Sequence, residues 1–85
     1  MMRRGTRQAE AQTLAQTFGK RLCEAQEIRG MKNEPLARET GIGLRLVQRH
    51  RKGEHLPKQD HIFIYSRVLD FPVSWFFQES EADAA

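Results

Sequence analysis

Apolar residues along this chain recur at intervals of three and four, the spacing of one face of an α-helix. Glycine or proline interrupts the pattern where the chain changes direction. Leu14, Phe18, Leu22 and Ala25 form the first stripe, in a proline-free run of strong helix formers that starts near Ala9. Gly19 lies within that run, where another helix could approach closely, and Gly30 ends it. Met31 is expected to pack back onto the core. A second helix is predicted over residues 33–40, with Asn33 as N-cap and Pro35 in the first turn, where a missing N–H costs little. Its apolar points are Leu36 and Ala37. A third helix follows over 43–51, with Leu46, Val47 and His50 inward. Residues 52–58 read as a turn in which Gly53 closes the third helix, Leu56 tucks inward and Pro57 precedes the next helix. The fourth helix, over 58–69, has Ile62, Tyr65, Val68 and Leu69 inside; Phe63 and Ile64 make it apolar on more than one side. After a turn at Asp70, Phe71 and Pro72, a fifth short helix over 72–78 holds Trp75, Phe76 and Phe77.

The second and third helices meet at Thr40, Gly41 and Ile42. Glycine readily takes the positive φ that closes a helix, and Ile42 then drops an apolar side chain into the angle between the two helices. Ala37 is small where the two axes approach, while Leu36, Ile42 and Val47 point to a shared core. Two short helices joined at a steep angle by a tight glycine turn make a helix-turn-helix. The outward positions of the third helix are then Gly43, Leu44, Arg45, Gln48 and Arg49. Arginine can bond a guanine edge through two donors, glutamine can do the same for adenine, and leucine suits a thymine methyl.

The stretch NEPLARETGIGLRLVQRHRKG, residues 33–53, resembles the lambda-repressor/Cro-like helix-turn-helix family, often called XRE-type. The resemblance extends over residues 17–77, through FGKRLCEAQEIRGMKNEPLA upstream and KGEHLPKQDHIFIYSRVLDFPVSWFF downstream. Two positions depart from the family's pattern. Arg51 stands where the family usually has Glu, and His50 where it usually has an apolar residue. The resemblance implies an all-α, five-helix bundle, with a first helix here extended N-terminally. It also implies binding to double-stranded DNA. The third helix would contact bases through Gly43, Leu44, Arg45, Gln48 and Arg49. Lys32, Asn33, Lys52, His55, Lys58 and Gln59 would lie along the phosphate backbone. Trp75, Phe76 and Phe77 cannot all seal so small a core. Those left over would form a homodimer patch or lie under the extended first helix.

Composition narrows the classes without choosing among them. The 85 residues amount to one domain, residues 9–78, and the formal net charge of +3 with a pI near 9.5 favours an anionic partner. Residues 1–8 read as a flexible basic arm, either a frayed terminus or a segment that touches DNA, and 79–85 as an acidic disordered tail. The single cysteine, Cys23, excludes an internal disulfide and fits a reducing cytoplasm, and the family resemblance implies a bacterial or phage-encoded setting. No apolar run is long enough for a membrane span, and the basic start lacks the apolar stretch of a secretory signal. His50, His55 and His61 do not follow the i, i+4 placement of paired zinc ligands, so no metal and no cofactor is expected. No nucleophile–base constellation or phosphate-cradling loop points to an enzyme. The expected function is transcription regulation, as a repressor that binds an operator as a homodimer. The alternative is the same fold used as a protein-interaction module, such as an antitoxin or a polymerase-binding adaptor.

Overall fold

A computed structural model describes residues 3–79, with side chains described from Thr13 onward. Its elements are α1 (Arg3–Arg29), α2 (Asn33–Thr40), α3 (Leu44–Lys52), α4 (Gln59–Leu69) and a short 3₁₀ helix (Val73–Phe77). Among the described residues there are thus four α-helices and no strand, where the sequence suggests five α-helices. The fifth element follows Pro72 and is too short for more than one tight turn. Trp75 N–H donates to the Pro72 carbonyl at 2.9 Å, the i to i+3 bond of a 3₁₀ turn. At the other end, α1 begins at Arg3, ahead of the predicted start near Ala9. The backbone of residues 3–8 is therefore helical; Gly5 costs a helix interior only about 1 kcal/mol, and no proline intervenes. Met1 and Met2, and the acidic tail beyond Glu79, lie outside the described residues.

One apolar core joins all the elements: Phe18, Leu22 and Ala25 from α1, Leu36 from α2, Ile42 from the turn, Val47 from α3, Ile62, Tyr65 and Leu69 from α4, and Phe76. Leu14 is not part of it. It is 44% exposed, and Ala15, at 2%, faces inward in its place. The reason is steric. At this level α1 meets the backbone at the end of α3, where a Cβ on Gly53 would stand 2.9 Å from Gln16 Cα and 3.3 Å from the Ala15 carbonyl. Only a small side chain fits there. One turn further on, a Cβ on Gly19 would lie 2.7 Å from the Arg51 carbonyl and 2.8 Å from that of His50. The close approach expected at Gly19 is the crossing of α1 over the last turn of α3.

Two arginines of α1 hold the C-terminal side of the bundle. Arg29 donates from Nε to the Leu69 carbonyl at 2.7 Å and from Nη2 to the Asp70 carbonyl at 2.8 Å, so it caps α4. Asp70 there has a positive φ of 61°, the left-handed conformation that glycine would adopt more easily. Arg21 is buried; its Nε donates to the Trp75 carbonyl at 2.9 Å, and its guanidinium lies 3.6 Å over the Trp75 ring.

The turn between α2 and α3 follows from its residues. Gly41 has φ 75° and donates its N–H to the Ala37 carbonyl at 2.9 Å. Thr40 Oγ1 donates back to the Leu36 carbonyl at 2.7 Å and accepts the Ile42 N–H at 3.1 Å. Ile42 is thereby delivered into the core. Asn33 is not the N-cap of α2. Lys32 occupies that position without a side-chain cap, and Asn33 lies in the first turn with its side chain engaged elsewhere.

Candidate nucleic-acid interface

The orientation of α3 decides what it can present. Val47 is fully buried and His50 is 1% exposed, while Leu46 is half-buried against the core. The opposite edge carries Arg45, Gln48 and Arg49, all exposed, with Gly43 exposed and Leu44 half-buried at the N-terminal end. Leu44, Arg45, Gln48 and Arg49, four of the five residues expected to face bases, therefore lie on the side of α3 away from Val47 and His50, and Gly43 is the N-cap just ahead of them. Arg49 is held only loosely, its Nε 4.0 Å from Glu54 Oε1 with both side chains about half exposed.

The six residues expected along a phosphate backbone lie at the two flanks of that helix. Lys32 and Asn33 are at the start of α2. Lys52 ends α3, His55 follows it, and Lys58 and Gln59 open α4. All are exposed except Asn33, which is half-buried. None of α2, α3 and α4 has a side-chain hydrogen bond capping its first turn. The first-turn N–H groups, which have no intrahelical acceptor in any helix, are thus left without a side-chain acceptor as well. That is the condition under which a helix start accepts an anion. The last turn of α3 adds Arg49, Arg51 and Lys52.

The C-terminal end of α3 is seated by a buried polar pair. His50 Nδ1 and the Tyr65 hydroxyl are 2.8 Å apart, so α3 and α4 share a hydrogen bond inside the core. Around His50 lie His55, edge-on at 5.6 Å between ring centroids, and His61 at 5.9 Å. Burial, with the neighbouring His55 and His61 in support, lowers the His50 pKa to about 4. Burial also pushes the Tyr65 phenol above its ordinary range. At neutral pH this seat carries no charge. The gathering of three histidines is not visible in their spacing, because the turn after α3 folds back over the end of that helix. Among the described residues no three His, Cys, Asp or Glu side chains are placed to hold a metal ion.

The aromatic trio turns inward. Phe76 is fully buried and stacks on Phe18 at 5.2 Å, leaving no surface for a second copy of the chain. Phe77 packs on Phe18 at 5.6 Å, and Trp75 stacks on Phe71 at 4.0 Å beneath Arg21. Trp75 and Phe77 each keep part of their surface exposed. The large apolar side chains that stand out are instead Leu14, Ile28 and Phe63.

One contact beside this edge was not foreseen from the sequence. Arg51 reaches from the end of α3 to the start of α2, where its Nη1 donates to Asn33 Oδ1 at 2.9 Å. Its departure from the family's usual Glu was the available signal.

The chain is similar to helix-turn-helix transcriptional regulators. Two curated relatives, from Sinorhizobium medicae and Rhizobium meliloti, are each named as an uncharacterized HTH-type transcriptional regulator. Each is 29% identical over 65 residues, covering 76% of this chain and 47% of the relative. The chain thus spans about half the length of the curated relatives it matches. No protein-family profile matches it, and no solved structure matches it significantly. No helix among the described residues is long and apolar enough to cross a membrane.

Proposed function

We propose that this protein binds double-stranded DNA in a sequence-specific way and regulates transcription as a cytoplasmic repressor. Helix α3 lies in the major groove, with Gly43, Leu44, Arg45, Gln48 and Arg49 toward base edges. Lys32, Asn33, Lys52, His55, Lys58 and Gln59 set its depth and register on the phosphates. The observation that carries this reading is the two-sidedness of α3: Val47 and His50 anchor one side, and Arg45, Gln48 and Arg49 project together from the other. The names of the two relatives support it. Repression is steric, by occupation of the promoter. Two copies bind as a symmetric dimer with recognition helices about 34 Å apart, so the operator is a near-palindrome. The XRE-type, Cro-like subtype rests on the resemblance of residues 17–77.

The test is selection of bound sequences from a random duplex pool, followed by titrations at several salt concentrations. The selected sites should be near-palindromic, and affinity should fall steeply with salt through counterion release. Arg45→Ala and Gln48→Ala should each cost about 1–3 kcal/mol on the selected site and relax the choice at particular base pairs. A protein that ignores duplex DNA at low salt would end this reading in favour of the protein-interaction module.

A further inference from the structure

Arg51 ends in a groove of about 390 Å³ between the end of α1, the start of α2 and the end of α3. Lys32, Asn33, Gln26 and Glu27 line the same groove, so two cations face one carboxylate. Asn33 Oδ1 accepts two hydrogen bonds, from Arg51 Nη1 at 2.9 Å and from Gln26 Nε2 at 3.0 Å. Gln26 is itself buried, and its Nε2 also donates to the Met31 carbonyl at 3.1 Å. With Oδ1 held by these two donors, the planar amide turns Asn33 Nδ2 away from them. The backbone N–H groups of Asn33 and Glu34 open α2 without a side-chain cap. A guanidinium has five donor hydrogens in a planar fork, so Arg51 keeps donors beyond the one given to Asn33.

We propose that Arg51 is a phosphate-contacting residue, which grips one DNA phosphodiester together with Lys32 and the first turn of α2. Gln26 and Asn33 act as positioning residues: they hold the guanidinium across the gap between α3 and α2. This rests on the reading of the protein as a DNA binder. Arg51 adds one charge-assisted contact to the backbone set.

The test compares wild type, Arg51→Gln and Arg51→Lys on a random-sequence duplex, as the slope of log affinity against log salt, with thermal melting as the check on folding. Loss of one phosphate contact should make the Arg51→Gln slope shallower by about 0.9, whereas Arg51→Lys should keep the wild-type slope. An unchanged slope in Arg51→Gln, with wild type binding normally, overturns the role of Arg51 and leaves the DNA-binding reading intact. Failure of wild type to bind overturns that reading first. A second measurement needs no variant. Arg51 Nε is enclosed without an acceptor, and its N–H resonance in the wild-type protein should shift when duplex is added. The exposed Arg67 on α4 serves as reference. An Arg51 signal that moves no more than that of Arg67 overturns the proposal even if Arg51→Gln does not fold.

Discussion

The two ends of α3 are built on opposite principles. At the C-terminal end backbone meets backbone: Gly19 and Gly53 leave no room for a side-chain carbon between α1 and the last turn, and His50 is sealed beneath. At the N-terminal end a Cβ on Gly43 would meet nothing within 4 Å, the first turn has no side-chain cap, and Arg45 stands in solvent. One end fixes the angle of the helix. The other is free to carry whatever chemistry a partner requires. The anchored and the open parts of α3 are therefore separated along its axis as well as around it.

The harshest way to break this contrast is Gly19→Ala. Alanine in a helix normally stabilises by about 1 kcal/mol over glycine. Here the new methyl collides with two backbone carbonyls, which cannot rotate away as a flexible side chain would. Stability in urea denaturation should fall by about 1–3 kcal/mol. A gain would mean that α1 does not press on α3.

Acid probes the same end. The His50 pKa is about 4 in the folded protein, against 6.5 for a free imidazole. Between these values the unfolded chain binds more protons than the folded one. The contribution of the neutral pair with Tyr65 is therefore complete above about pH 6.5 and is lost as pH falls toward 4. It amounts to at most about 3 kcal/mol. Urea midpoints across that window should show the loss in wild type. The double variant His50→Leu/Tyr65→Phe should show less of it, since it removes the titrating ring without stranding a buried hydroxyl. Equal pH slopes in the two proteins would sink the assignment. The smallest effect belongs to the open end. Gly43→Ala should lower stability by no more than about 1 kcal/mol, because its φ of −58° suits alanine and the space is empty, and only alanine's poorer fitness as an N-cap counts against it. Equal losses at 19 and 43 would erase the distinction between the two ends.

How much of this could be read in advance follows the range of the forces involved. The turn at Gly41, the burial of Leu36, Ile42 and Val47 and the outward edge of α3 are set by neighbours within a few residues, and the apolar pattern shows them. Leu14 and Ala15 both fit the stripe of α1, and only the distant backbone of Gly53 chooses between them. Asn33 is a favoured capping residue by local rule, but Gln26 and Arg51, remote in sequence, claim its oxygen. The apolar cluster at 75–77 was legible as a cluster. Its distribution over Phe18, Phe71 and Arg21 was not, because that depends on where α1 passes.

The last turn of α3 gathers Arg49, Arg51 and Lys52 at the end toward which the helix's backbone carbonyls point. Those carbonyls carry partial negative charge, and cations placed over them are favoured by about 0.3–1 kcal/mol each at low ionic strength. A dense knot of positive charge can thus persist on the isolated protein without driving the bundle apart. Under the DNA binding proposed above, a polyanion meets at this helix end a field already assembled.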